Sequence, residues 1–196
     1  MSQDSGRGPG QRRTGWRRAL DLSLWAVALG LLAWRFGPQL GAALGVGGSG
    51  IEAPRFAVQT LDGDSVSLEQ LHGKVVLVNF WATWCGPCRV EMPWFEALYR
   101  ERRADGLVIV GASTDVGTPD VVRQFLAERD ITYPVAQASP SLQRAFGGVR
   151  GLPTSFLIDR HGRIRHTVTG IFAEPALRAA VDRLLAEPGP GASAPR

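Results

Sequence analysis

The stretch Trp84-Cys85-Gly86-Pro87-Cys88 carries the only two cysteines of this 196-residue chain. It follows closely on Val75–Phe80, an apolar run of the kind that forms a strand buried on both faces. Pro87 fits the first turn of a helix, so the pattern predicts a strand, a tight turn and a helix with the cysteines at its N-terminus. There the unpaired N–H groups stabilise a thiolate, and one sulfur can attack a foreign disulfide while the other resolves the product.

A C-x-x-C pair can also be half of a zinc site or a structural staple. Zinc requires four ligands, and the chain has no second cysteine pair. The histidines at positions 72, 161 and 166 lie far off in sequence and show no ligand spacing. A domain of this size also has enough core to fold without a disulfide. The residues therefore predict a redox-active Cys85–Cys88 pair, with no metal and no further cofactor.

The positive charge is concentrated at the N-terminus. The chain has 22 basic and 18 acidic residues, a net charge of +4. Residues 1–18 contain five arginines and one aspartate, so the rest of the chain carries as many acidic as basic groups. The basic balance therefore does not indicate nucleic-acid binding, and residues 1–18 are predicted to be a basic cytoplasmic tail.

An apolar run, Leu22–Trp34, follows the basic tail. As a helix its thirteen residues span about 20 Å, less than the roughly 30 Å of a bilayer core. Flanking residues can extend the run to 19–36, which would make it a transmembrane or signal-anchor helix. The alternative is a cleaved signal peptide, for which Gly41-Ala42-Ala43 fits the cleavage site. We favour the uncleaved anchor. The positive-inside rule then predicts a bacterial single-pass protein of the cell membrane, with its C-terminal domain extracytoplasmic.

Residues 51–187 alternate strand and helix signals, which predicts an α/β domain with a central mixed sheet flanked by helices. Before it, residues 37–50 are predicted to be a glycine-rich linker, and after it residues 188–196 a disordered tail. The predicted strands are an N-terminal hairpin (Arg55–Gln59 and Ser65–Leu68), then Val75–Phe80, Leu107–Ser113, Thr132–Ala136, Thr154–Ile158 and Arg163–Thr169. The predicted helices are 86–103, 139–146, 173–186 and one that begins after the N-cap residue Thr118. The first is expected to be broken or kinked at Pro93. The helix after Thr118 carries apolar residues at helical spacing: Val121, Val122, Phe125 and Leu126.

Two motifs together identify a family. Asn79–Arg89, which contains the dithiol, and Gly151–Thr154 strongly resemble the thioredoxin fold. More narrowly, the chain resembles the TlpA/ResA/CcmG-type group of membrane-anchored, extracytoplasmic thiol-disulfide oxidoreductases. The resemblance covers about residues 51–187, and the helix and strand inserted at about 117–137 match that group and are absent from plain thioredoxin.

The resemblance implies a role for each residue around the dithiol. Cys85 is the nucleophile at the exposed edge of the helix, and Cys88, one turn further in and more buried, resolves the mixed disulfide. Pro153 matches the cis-proline that faces the dithiol, which leaves the backbone of Leu152 to pair with an extended substrate; the alternative is an ordinary trans proline. Trp84 offers a flat contact surface unless it packs into the core. The expected substrate-binding residues are Trp84, Gly86, Pro87, Leu152 and Pro153.

One departure from thioredoxin concerns proton transfer. Plain thioredoxin has a buried aspartate where this chain has Asn79, so that route for the proton of the buried thiol is missing. Glu91 stands three residues after Cys88, where the ResA-like group has an acidic residue, and one helical turn brings the two to the same side. We expect Glu91 to be the acid/base for Cys88; the alternative is a solvated surface glutamate. Arg89, the histidines and Asp115 are assigned to surface or structural positions.

The leading functional hypothesis is a reductase of protein disulfides. For such relatives the implied clients are apocytochrome c or copper-site proteins, and a membrane electron donor of the DsbD/CcdA type would reduce the dithiol again. An oxidase that forms disulfides would use the same residues. Peroxide reduction is disfavoured, because Ala82 stands where a peroxidatic site needs threonine. A tethered, non-catalytic scaffold is disfavoured by the complete set of site residues.

Overall fold

The computed structural model describes residues 50–191. The predicted tail 1–18, the predicted membrane helix 19–36, nearly all of the predicted linker and residues 192–196 lie outside this range. Within residues 50–191, no helix has the length and the apolar character needed to cross a membrane.

The described residues form eight strands and four helices. The strands are β1 (Ile51–Glu52), β2 (Ala57–Gln59), β3 (Ser65–Ser67), β4 (Val75–Trp81), β5 (Leu107–Ser113), β6 (Val135–Gln137), β7 (Thr154–Ile158) and β8 (Arg163–Thr169). The helices are α1 (Gly86–Arg102), α2 (Pro119–Ala127), α3 (Pro140–Ala145) and α4 (Glu174–Ala186).

Six of these strands form one mixed sheet in the order β1-β8-β7-β4-β5-β6. The β4–β5 and β5–β6 pairs are parallel, whereas β4–β7, β7–β8 and β1–β8 are antiparallel. The predicted N-terminal hairpin is present as β2 and β3, which form a separate two-stranded sheet. The predicted mixed α/β architecture is therefore confirmed, and the predicted insertion corresponds to α2 and β6.

The core consists of two apolar clusters, one on each face of the sheet. All seven residues of β4 are buried, because alternate side chains enter opposite clusters. Leu77 and Trp81 lie in the cluster that also contains buried residues of α1 and α4, such as Phe95 and Leu177. Val78 and Phe80 pack on the opposite face. The continuous apolar pattern of β4 therefore follows from cover on both sides.

The helix predicted to be broken or kinked at Pro93 is not broken there, because α1 runs without interruption from Gly86 to Arg102. The pyrrolidine ring lies on the exposed face of the helix. On the opposite face Met92, Phe95 and Leu98 are buried in the core on either side of the proline. This tertiary packing holds the helix together despite the missing hydrogen bond.

Two further predictions in the inserted region need correction. The predicted strand Thr132–Ala136 begins only at Val135, because the backbone N–H of Thr132 donates instead to the carboxylate of Glu96 on α1 at 2.7 Å. In α2, Val122 is buried but Val121 is 59% exposed, so Val121 does not belong to the apolar face. Thr118 is the N-cap residue of α2 as predicted, although its side chain makes no capping hydrogen bond.

The parallel pair β4 and β5 places the functional loops. Because parallel strands end at the same edge of a sheet, the loop after Trp81 and the loop after Ser113 emerge side by side. On the other side of β4, the antiparallel β7 begins at this same edge, with Thr154 paired to Phe80. Three segments that are distant in sequence therefore surround the N-terminus of α1.

Candidate active site

Cys85 is the N-cap residue of α1. Its backbone is extended, with φ −79° and ψ 105°, and its Sγ accepts a hydrogen bond from the backbone N–H of Cys88 at 3.3 Å. Pro87 lies in the first turn, where a missing N–H costs nothing, and the first turn carries no acidic residue. The first turn of α1 therefore presents its positive end to the sulfur, which favours a thiolate when the pair is reduced.

Cys85 and Cys88 form a disulfide in the structure. Cys88 is fully buried, as expected, but Cys85 is only 5% exposed, so the expectation of an exposed nucleophile is wrong for the oxidised form. The bond to the enclosed Cys88 draws the Cys85 side chain into the same apolar cluster. The residues around it are exposed instead: Trp84, Gly86 and Pro87 all face solvent.

Trp84 is 72% exposed, so it is not part of the core, whereas Trp81 is fully buried. The loop that carries Trp84 is held by Asp115, which follows β5. The Asp115 carboxylate accepts hydrogen bonds from the N–H of Thr83 at 2.9 Å and from its hydroxyl at 2.6 Å, and another from Ser113 at 2.8 Å. Asp115 is thus structural, one of the two alternatives that the sequence left open, and it holds the loop beside the dithiol.

The peptide bond between Leu152 and Pro153 is cis, as expected. Pro153 is buried and Leu152 half-buried, and Leu152 packs against the cluster that contains both cysteines. Because Thr154 pairs with Phe80, the cis bond lies beside the end of β4. The structure therefore brings the two predicted motifs together, while the substrate-binding role of these residues stays a prediction.

Glu91 is fully buried, which excludes the alternative of a surface glutamate. Its Oε1 accepts a hydrogen bond from the amide of Asn79 at 2.9 Å, and its Oε2 accepts one from the backbone N–H of Phe172 at 3.0 Å. The same Asn79 amide donates to the hydroxyl of Ser155 at 3.0 Å. The carboxyl group on α1 is thereby linked to β4, β7 and the segment before α4.

Burial raises the pKa of Glu91 to about 7, and the hydrogen bonds from Phe172 and Asn79 lower it in part. A group with this pKa exchanges a proton readily near neutral pH, which suits a general acid or base. Cys88 precedes it by one helical turn, so both groups lie on the same side of α1. The arrangement can accept the proton of the buried thiol, although the catalytic role of Glu91 stays a prediction.

The structure brings no three potential metal ligands together within residues 50–191. Of the three histidines, only His166 is buried, and burial lowers its pKa. His72 and His161 lie at the opposite edge of the sheet from the dithiol, near the β7–β8 turn. The chemistry available at the described site is therefore that of the two sulfurs and Glu91.

The chain matches the model of the AhpC/TSA family over residues 49–167, a range that includes both cysteines. It is similar to the thiol-disulfide oxidoreductase ResA of Halalkalibacterium halodurans, with 33% identity over 166 residues that cover 84% of this chain and 91% of the relative. The thiol-disulfide oxidoreductase ResA of Bacillus cereus is 39% identical over 121 residues, which cover 62% of this chain and 69% of the relative.

Two solved structures show the same fold. A thiol:disulfide interchange protein of the thioredoxin family from Chlorobium tepidum has a TM-score of 0.65 and 35% identity, covering 69% of this chain and 97% of that one. StoA from Bacillus subtilis has a TM-score of 0.56 and 26% identity, covering 64% and 95%.

Glu91→Gln is expected to change how stability depends on pH. The unfolded carboxyl ionises near pH 4.5, whereas the folded one keeps its proton to about 7. The raised pKa therefore stabilises the folded state by roughly 3 kcal/mol below pH 4.5, and this stabilisation is lost as the pH rises through 7. The free energy of unfolding in urea, measured for wild type and variant at several pH values, should show wild type losing stability relative to the variant over this range.

Glu96→Gln is the matched control on the same helix. Burial acts to raise the pKa of Glu96, but hydrogen bonds from Thr132 and the contact with Arg100 bring it below its ordinary value. The ionised Glu96 therefore stabilises the folded state above the ordinary pKa of a glutamate, and this stabilisation is lost as the pH falls. The difference in unfolding free energy between wild type and Glu96→Gln should therefore change with pH in the opposite sense to that for Glu91→Gln. Parallel slopes for the two variants would contradict the assignment of Glu91.

Proposed function

We propose in which direction electrons flow, and to which class of client protein, in this chain, which belongs to the AhpC/TSA family and is a thiol-disulfide oxidoreductase of the ResA type. The proposed function is the reduction of protein disulfides outside the cytoplasm, in cytochrome c maturation or in a related assembly of metal sites. The observation that carries it is a dithiol at the N-terminus of α1 above a buried carboxyl group with a pKa of about 7.

The first step is attack by the thiolate of Cys85. The helix N-terminus favours this thiolate, and the exposed Trp84 and Pro87 leave room for a client beside it. The thiolate bonds to one sulfur of the client disulfide, whose S–S bond breaks. The departing client thiolate takes up a proton, and client and protein are joined through a mixed disulfide.

The second step releases the client. The thiol of Cys88 gives its proton to the carboxylate of Glu91 and attacks the Cys85 sulfur. The mixed disulfide breaks, the second client thiolate leaves and is protonated, and the Cys85–Cys88 disulfide seen in the structure is formed. Two electrons have moved from the dithiol to the client, and an electron donor must supply two more before the next cycle.

The proposal that the chain reduces its clients is supported by the Gly86-Pro87 pair between the cysteines, which reducing thioredoxins also carry. The location is supported by the basic residues 1–18 followed by the apolar run within 19–36, which suit a signal anchor. An anchored domain outside the cytoplasm has no access to cytoplasmic reductants, so we propose a membrane electron donor of the DsbD/CcdA type. The proposed clients are apocytochrome c or copper-site proteins whose cysteines must be reduced to bind their group.

The reduction potential of the Cys85–Cys88 pair tests the direction. The full-length chain is equilibrated with glutathione buffers of defined ratio, and the reduced fraction is measured. Thioredoxin-like reductants fall near about −270 mV and strong oxidants near about −120 mV. We expect a value below roughly −220 mV. A value above about −180 mV would favour the oxidase instead.

Cys88→Ser is expected to trap the mixed disulfide with a client. An oxidised peptide with the C-x-x-C-H pattern of a haem attachment site is a suitable model client. Without Cys88 the intermediate on Cys85 cannot be resolved, so an adduct should accumulate and be visible by intact mass and on a non-reducing gel. The matched control, Cys85→Ser, should give no adduct. Equal adducts from the two variants would refute the assignment of Cys85 as the nucleophile.

Glu91→Gln is also expected to change the pH dependence of client release. Because Glu91 must be ionised to accept a proton, the rate of the second step in wild type should rise as the pH passes through about 7. The variant should lack this rise and be slower above pH 7 by roughly 10²-fold. The measurement is single-turnover reduction of the same peptide across pH 5–9, with Glu96→Gln as control. An unchanged profile in Glu91→Gln would remove Glu91 from the mechanism.

A further inference from the structure

A cleft of about 220 Å³ opens beside the cis-proline. One wall is the loop from Phe146 to Gly151, and the other is the end of the β7–β8 hairpin, with Thr154, Phe156, Thr167 and Thr169. Phe146 and Phe156 belong to the core cluster on the face of the sheet opposite α1. The cleft is therefore separate from the buried network around Glu91.

The cleft lies next to the place where a client must bind. Gly151 and Thr154, which line it, flank the Leu152–Pro153 bond. Thr154 pairs with Phe80 near the end of β4, and Leu152 packs against the cluster that contains Cys85. A polypeptide whose cysteine reaches Cys85 past the cis-proline therefore brings neighbouring side chains to the cleft.

The walls combine aromatic and hydrogen-bonding surfaces. The rings of Phe146 and Phe156 lie against each other with centroids 4.8 Å apart, which gives an apolar floor. The hydroxyl of Thr154 donates to the carbonyl of Gly151 at 2.8 Å and so fixes one rim of the cleft. The exposed Thr167 adds a second hydroxyl group on the β7–β8 wall. These surfaces suit a side chain with a short apolar stem and a polar end.

The charge of the region favours an anion. Arg150 lines the cleft, is exposed, and makes no ion pair or side-chain hydrogen bond within residues 50–191. Residues 137–153 contain two arginines and no acidic residue.

We infer that this cleft is a specificity site that takes the carboxylate side chain of an aspartate or glutamate close to the client's target cysteine. Arg150 pairs with the carboxylate, and the threonine-lined walls and aromatic floor hold the stem. The inference rests on the proposed function, because it names the kind of client that the dithiol reduces. A basic or uncharged flank would leave Arg150 without a partner.

The test uses disulfide-bonded peptides that differ at one position. Glutamate and glutamine are compared in turn at each position flanking the C-x-x-C pair, and the pre-reduced full-length chain is mixed with each peptide. At one or two positions we expect the second-order rate constant for the glutamate peptide to be about tenfold higher than that for the glutamine peptide. The preference should shrink as salt is added, because the arginine is exposed.

Four variants distinguish an effect of the cleft from an effect of net charge. Arg150→Glu should abolish or reverse the preference, whereas Arg103→Glu makes the same change of charge at the far end of α1 and should keep it. Thr167→Trp should also reduce the preference, because it fills the cleft from an exposed strand position without changing the charge. Arg144→Glu alters the other arginine of the region outside the lining and should have little effect.

Bis(2-hydroxyethyl) disulfide, a small neutral substrate, reports on the dithiol alone and should react equally with all variants. Failure of wild type to reduce this compound or any peptide would refute the proposed function. Reduction of all peptides without a glutamate preference would refute only the cleft inference. Equal losses in Arg150→Glu and Arg103→Glu, or no effect of Thr167→Trp, would show that the charge acts diffusely and that the cleft is not the site.

Discussion

The carboxyl group of Glu91 joins separate parts of the chain beneath the dithiol. It lies on α1 and accepts hydrogen bonds from Asn79 on β4 and from the backbone of Phe172 before α4. Asn79 extends the connection to Ser155 on β7. Because these groups are buried, losing one partner costs about 1–3 kcal/mol. The position of Cys88 relative to the sheet therefore depends on this network, as does the approach of the segment before α4.

The same network explains why position 79 carries an amide. A carboxylate there would lie within hydrogen-bonding distance of Glu91, and two buried like charges so close cannot both ionise. The amide of Asn79 donates a hydrogen bond instead, which favours the ionised form of Glu91 and opposes part of the effect of burial. The described site thus holds one exchangeable carboxyl proton, on the same helix as the thiol that must lose its own.

Local patterns are sufficient to predict the elements that carry the dithiol. The apolar runs give β4 to within one residue and β5 in full, and the Cys-Gly-Pro-Cys turn gives the start of α1. The errors arise where contacts distant in sequence decide: Thr132 is bound by Glu96 on α1, and packing on the core carries α1 past Pro93. The hydrogen-bond partner of Asp115 could not be predicted for the same reason, since Thr83 lies 32 residues away.

The groups proposed to perform the chemistry and those proposed to meet the client differ in exposure. Cys88 and Glu91 are fully buried, so the pKa of Glu91 is set by desolvation and by fixed hydrogen bonds. Trp84 and Arg150 are exposed, and a charge in water acts weakly on a buried group because the solvent screens it. Substitutions in the exposed loops can therefore change which client is held while leaving proton transfer beneath the dithiol intact. Substitutions in the buried network affect every client alike.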